Sequence, residues 1–347
     1  MKTRLLLLLP LLTIAAPADT IRLRNGTEYE GIVLREEGDD YVVSVQVTKS
    51  IRDERRIPKR DVLEIVGEKK DEAAFEKLKT LVPTPDLLTL EEYVARVDAV
   101  EGFMSKFDKS SYLREADKIL KVLDEERQLV EDGGIKFGGK MIPGEERAAS
   151  AYPLDARIAA AEVEALGDAG DLVGALRAWE TFEKEFAGSS AYRDSIPYAQ
   201  RVMRTQLKQV DQLLDTYDAR VAQREAGLER IPEKDRSRSE AAIDQESAAY
   251  ERRLEAEKKE GIKWPSLSPW HKSPLQSTKS RLEQELKRLE KLDLSTLPDS
   301  EAAWKEAWEV LNGSPDSSAA SSALSAARSA RLPERYIRIL EQKAPSK

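Results

Sequence analysis

Two periods divide the chain. Between Asp19 and Gly67 apolar and polar positions alternate, as in strands with one buried face, and beyond Asp86 apolar residues recur every three or four positions, as in amphipathic helices. Thr20-Ile21-Arg22-Leu23-Arg24 alternates and runs into Asn25-Gly26, whose residues both tolerate the positive φ of a two-residue hairpin turn. Glu28 to Glu36 reads as a second strand, with Gly31 marking a bend or bulge. After the turn Glu37-Gly38-Asp39-Asp40, the segment Tyr41 to Val47 places Tyr41, Val43, Val45 and Val47 on one face. Ser50 to Ile57 and Leu63 to Val66 bring the count to five strands, with a helical turn at Pro58-Lys59-Arg60-Asp61 between the last two.

The 3.6-residue period starts with a short helix from Asp71 to Leu81, which Pro83 and Pro85 end because a residue before proline is pushed towards extended geometry. Thr89 and Glu92 then fit a capping box for the next helix. Glu101-x-Phe103-x-x-x-Phe107-x-x-Ser110-Ser111-Tyr112 returns as Glu180-x-Phe182-x-x-x-Phe186-x-x-Ser189-Ser190-x-Tyr192. Each copy looks like the end of a tetratricopeptide-type first helix followed by a serine cap, with Ala175 to Phe186 and Ser190 to Met203 as one such pair. Between the copies, Gly134 to Met141 matches a phosphate-binding loop until Met141 stands where Ser or Thr would hold magnesium. A helix precedes it instead of a strand, so Gly138-Gly139 is better read as a tight hairpin turn.

A heptad seam follows. Leu207, Leu214, Val221 and Leu228 recur every seven residues, as do Val210, Tyr217, Arg224 and Ile231, with Arg224 the one polar interruption. Pro232 ends it, and Ser239 to Glu260 continues as a polar helix with a thin stripe at Ile243, Tyr250 and Leu254. Beyond Trp264-Pro265-x-x-x-Pro269-Trp270-His271, the helix Gln276 to Leu292 carries Leu282, Leu286, Leu289 and Leu292. These lengths fit an antiparallel helical hairpin with the proline–tryptophan stretch near one end. Trp304 and Trp308, one turn apart, read as core of a short helix; 312–329 reads as a loop plus a weak helix, and Leu332 to Gln342 as the last helix.

Composition narrows the function. Lys2 and Arg4, the apolar run Leu5 to Ala16 and the small residues Ala16-Pro17-Ala18 have the order of a cleavable export signal, and the run is too short to span a bilayer. An exported or periplasmic chain of this size needs no disulfide, and this one has no cysteine, which excludes thiol catalysis, zinc–thiolate sites and iron–sulfur clusters. With His271 the single histidine, histidine-rich metal sites are remote, and no cofactor is expected. The net charge of −8 opposes nucleic acid as a partner, because phosphate neutralisation needs concentrated Lys and Arg. Charged residues at 35% against 6% aromatics favour long solvated helices over a large sheet.

Ile21-x-Leu23, Asn25-Gly26, Gly31-x-Val33 and Ile57-Pro58-x-x-Asp61-Val62-x-x-Ile65 together resemble an SH3-like or Sm-like small barrel. The export signal, this barrel and the stretch Pro83-Thr84-Pro85-Asp86-Leu87 resemble the bacterial exported family named PTPDL for that motif. The resemblance implies an exported bacterial protein and carries no assigned activity. On the residues alone the motif is a stiff linker between barrel and helices, with docking as the alternative.

The expected class is α+β, mainly α. Its organisation is a signal at 1–18, a barrel at 19–67, helices with a short hairpin near 135–142 over 68–200, a long helical hairpin at 201–292 and terminal helices at 293–347. The function this favours is a non-enzymatic interaction or scaffold protein of the bacterial envelope, with protein partners, no transmembrane segment and self-association open. The alternative is an envelope hydrolase using two carboxylates, which 64 acidic residues leave unlocalised. Candidate interaction residues are Trp264 and Trp270, the seam residues Leu207, Leu214 and Val221, and Tyr29 and Tyr41 of the barrel. The cluster Arg52, Arg55, Arg56, Lys59 and Arg60 is interleaved with Asp53, Glu54 and Asp61 and reads as a solvated face.

Overall fold

A computed structural model describes residues 19–48, 51–66 and 70–344; the expected export signal lies outside the described residues, as do Ser50, Gly67 and the side chains of Val47 and Arg52. The chain is α+β and mainly α, with thirteen α-helices among the described residues and a curled, half-barrel sheet at the front. Its strands are β1 (Asp19–Leu23), β2 (Glu28–Glu37), β3 (Asp40–Thr48), β4 (Ile51–Pro58) and β5 (Val62–Val66). They lie in the order β4-β3-β2-β1-β5, every neighbour antiparallel, with a 3-10 turn at Lys59–Asp61 between the two edge strands.

Ile21, Val43, Val45 and Ile57 form the sheet's core, as the alternation requires. The irregularity expected at Gly31 comes later: Gly31 pairs regularly with Val45, and the register shifts between Val33 and Arg35. Gly31 serves close approach instead, since a Cβ there would lie 2.4 Å from the Ser44 carbonyl oxygen. Beside the shift Val42 is buried together with Val43, which strict alternation does not allow.

The chain divides into two compact units, 1–141 and 142–347. In the first, α1 (Lys70–Lys79), α2 (Leu90–Lys106) and α3 (Leu113–Glu131) pack together around Phe75, Val100, Phe103 and Leu123. The capping box forms as expected: Thr89 Oγ1 accepts from Glu92 N at 3.3 Å, and Thr89 N donates to Glu92 at 2.8 Å. The hairpin β6 (Ile135–Phe137) and β7 (Lys140–Ile142) turns through Gly138 and Gly139, with φ of +62° and +71°.

The second unit contains α4 (Gly144–Ala149), α5 (Ala151–Asp168), α6 (Leu172–Phe186), α7 (Ser190–Asp215) and α8 (Tyr217–Glu229). It continues with α9 (Glu233–Lys259), α10 (Lys272–Glu290), α11 (Ser300–Asn312), α12 (Ser317–Ser329) and α13 (Glu334–Lys343). One core joins Trp179, Tyr192, Leu282, Trp304 and Tyr336. The unit boundary therefore falls inside the 68–200 region, because α5 to α7 share their core with α10 to α13, whereas α1 to α3 bury their apolar faces against one another.

The two phenylalanine–serine segments use their serines differently. Ser189 Oγ accepts from Tyr192 N at 3.1 Å and caps α7, whereas Ser110 Oγ donates to Asp71 at 2.8 Å and accepts from Tyr112 N at 3.2 Å ahead of α3, whose N-cap Tyr112 supplies no side-chain cap. The heptad seam also divides. α7 ends at Thr216, where Gln212 O accepts from both Thr216 N at 3.2 Å and Thr216 Oγ1 at 2.6 Å, and the Arg220 side chain from beyond the break donates to Leu213 O at 2.9 Å. Before the break, Val210 is buried and Leu207 and Leu214 are partly buried in the same core as Leu282, Leu286 and Leu289. Arg204–Glu290 and Lys279–Asp211 pair at 3.1 and 2.7 Å in opposite sequence order, so α7 and α10 run antiparallel. This half of the seam is covered within the chain.

Candidate functional site

After Thr216 the seam has no such cover. No residue of α8 is buried, and on α9 only Glu257 is. Together with the connector at 260–271 these two helices enclose a cleft of about 630 Å³. Lacking regular structure, the connector needs donors for its carbonyls, and the helices supply them. Tyr217 Oη donates to Trp270 O at 3.1 Å, Arg220 to Pro269 O at 2.7 Å and Tyr250 Oη to Ser266 O at 3.0 Å.

The connector's other end is tied to the core by Trp264, which is 2% exposed. Arg177 of α6 donates to Trp264 O at 2.7 Å and to Glu257 at 2.8 Å, while Glu257 accepts from Ser266 N and Oγ at 2.8 and 2.5 Å. Burial raises the Glu257 carboxyl, but the Ser266 hydrogen bonds and the Arg177 charge outweigh it, so its pKa lies below the usual carboxylate value. The site is thus mounted on a fixed, charged clamp.

Its lining combines aromatic and aliphatic side chains. The Arg224 guanidinium lies 4.2 Å from the Trp270 ring centroid and donates to Glu246 at 3.0 Å, so the polar interruption of the seam is a bridge from α8 to the connector and to α9. His271 packs against Tyr250 with ring centroids 4.3 Å apart. Its Nε2 lies 3.0 Å from Ser247 Oγ and its Nδ1 2.9 Å from Ser268 Oγ. The imidazole is thus held between two hydroxyls, with no carboxylate among its described partners. Val221, Leu228, Ile243 and Leu267 line the apolar part. Glu225, Asp244 and Arg253 stand around it with no ion-pair partner among the described residues. The arrangement suits insertion of an apolar side chain between aromatic faces, with charges of both signs at the margin.

Of the residues singled out from sequence, the structure brings Val221 and Trp270 together here. Trp264 supports the site from the core, and Leu207 and Leu214 pack with the α10 leucines. Tyr29 and Tyr41 are partly buried in the sheet's own core, with Arg55 5.5 Å and Lys59 5.4 Å from their ring centroids. Arg55, Arg56, Lys59 and Arg60 pair with Asp53, Glu37, Glu36 and Asp61, so these four cations of the basic cluster are neutralised at the surface. Tyr217, Arg224 and Ser247 were not singled out as site residues. The heptad phase of Tyr217 and Arg224 was the available signal, while Ser247 carries none.

The motif Pro83 to Leu87 is docked and not a free linker. Thr84 Oγ1 donates to Glu126 and accepts from Lys136 at 2.8 Å; Lys136 and Tyr93 also donate to Glu126, at 2.7 and 2.9 Å. Asp86 accepts from Gly138 N and Gly139 N at 2.6 and 3.0 Å, and Leu87 N donates to Lys136 O at 2.9 Å. Burial of the Tyr93 phenol, beside Glu126, pushes its pKa up to about 12. The motif thereby satisfies the turn of the glycine hairpin and fills a buried polar network, which accounts for its Thr and Asp in structural terms.

Among the described residues, no three acidic or histidine side chains converge as a metal site, and no helix is long and apolar enough to cross a membrane. Comparison of the chain with protein-family models, with curated proteins and with solved structures finds no match.

Proposed function

We propose that this chain is a non-enzymatic, exported binding protein of the bacterial envelope, which holds an apolar segment of a partner protein in the cleft between α8, α9 and the connector. The observation that carries the reading is the half-buried group of Val221, Ile243 and Trp270, which lines an open cleft on helices with almost no buried residues of their own. Such surface gains about 25 cal/mol per Å² when a partner removes it from water. Export rests on Lys2, Arg4 and the apolar run to Ala16, with the likeness to the PTPDL family in support. The tetratricopeptide-like reading of 175–203 is a further part of the proposal, in which α6 and α7 form the platform behind the clamp.

The test is a photo-reactive amino acid placed at Val221 or Ile243 in the native cell. The expected result is a discrete protein adduct in the envelope fraction on a chain starting at Asp19, lost when Trp270→Ala is added. The same group at Val122, which is 40% exposed on α3, yields no such adduct. Identical adducts from both places, or none from the cleft, would overturn the reading.

A further inference from the structure

A second cavity, of about 530 Å³, lies where the end of α9, the connector and the start of α10 meet. Its polar lining consists of Lys258, Lys263 and Arg281 with the hydroxyl residues Ser273 and Ser277, and it includes no Asp or Glu. In a chain with 64 acids against 56 Lys and Arg, an all-cationic lining needs a reason. Several cations elsewhere in this unit are neutralised locally, since Arg204, Arg224, Lys272 and Lys279 each contact a carboxylate, whereas no carboxylate is part of this lining.

The three cations differ in how far they are already used. Lys263 pairs with Glu285, which is not part of the lining, at 3.1 Å, and its ammonium lies 5.3 Å from the Trp264 ring centroid. Arg281 donates through Nη1 to the Lys263 carbonyl, a neutral acceptor, and has no ion-pair partner among the described residues. Lys258 has no ion-pair partner among the described residues. The remaining walls are apolar, from Leu254, Ile262 and Pro265. Cations grouped in a concave site with apolar walls concentrate a positive potential, and an arginine fork beside lysines matches phosphate oxygens.

We propose that this cavity binds a phosphate-bearing organic group, with Lys258 and Arg281 on the phosphate, Lys263 and the two serines beside them, and the organic part against the apolar wall. Its volume is in the range of small-ligand pockets. A soluble phosphate ester and the headgroup of an anionic phospholipid offer the same chemistry.

Calorimetric titration of the whole chain with glycerol 3-phosphate tests the site. Saturable one-to-one binding that weakens with salt is expected. Lys258→Gln, at an exposed position without a partner, should weaken it about tenfold by loss of one charge-assisted contact, with the melting temperature unchanged. Arg281→Gln, checked by the same melt, should weaken it at least as much. Sedimentation with phosphatidylglycerol but not phosphatidylcholine vesicles, abolished by Lys258→Gln, would assign the site to a lipid headgroup; binding of the ester without the vesicles would assign it to a soluble ligand. Inorganic phosphate binding as tightly as the ester would remove the organic half of the proposal. The proposal falls if neither ester nor vesicles bind, or if binding is indifferent to both substitutions.

Discussion

Lys136 and Glu126 lie 2.7 Å apart with side chains only 8% and 14% exposed, and Thr84 and Tyr93 complete the carboxylate's hydrogen bonds. Breaking such a pair costs more than the pair contributes, because the remaining charge stays buried. Lys136→Met should therefore destabilise the first unit by about 3–5 kcal/mol in denaturant melts, and adding Glu126→Leu should recover most of the loss. A single variant as stable as wild type would show that water reaches Glu126. Burial raises the Glu126 pKa, but bonds from Lys136, Thr84 and Tyr93 lower it further, so the net shift is downward from 4.5. The corresponding stability is complete above 4.5 and is lost as pH falls through the lower folded-state pKa. Wild type should accordingly lose stability below pH 4.5 more steeply than the double variant. The motif containing Thr84 was visible in the sequence; its acceptor and donor were not, because Lys136 is 52 residues away and its place depends on the hairpin docking onto Asp86 and Leu87.

At the scale of elements, caps and turns carried their own signals. Thr89 with Glu92, Ser189 before α7 and Gly138-Gly139 each satisfy local backbone groups within a few residues, so their roles could be read from spacing. The end of α7 could not. Thr216 is tolerated inside helices, as Thr205 is within α7 itself, and the Arg220 side chain that takes the Leu213 carbonyl comes from beyond the break. That break separates a covered half of the seam from an open one. Val210 is fully buried in the core shared with the α10 leucines, so Val210→Asp should cost several kcal/mol through an unpaired buried carboxylate. Thermal melts followed by circular dichroism should show a large fall that is equal at low and high protein concentration. A fall that shrinks as concentration rises would place another chain against this half instead.

Across the whole molecule, each core is complete within one unit. The large one, from Tyr152 to Leu340, draws only on residues after 142. A chain of 142–347 should therefore give a helical spectrum and one cooperative melt by itself; a non-cooperative melt would mean that the division by contacts is not a division of stability. What the amino-acid sequence determined was local in origin: five strands, helices with their caps, a glycine turn, a seam with one arginine in it and a short front segment distinct in period from the rest. These follow from backbone preferences and from which face of an element must leave water. The tertiary structure decided which elements share a core, where the units divide, that the proline motif docks, and that Arg224 meets Trp270 beside an open cleft. Those depend on contacts between residues from about 20 to more than 150 positions apart, as between Arg224 and Glu246 or Trp304 and Ala149, and no spacing along the chain encodes which distant partners will satisfy each other.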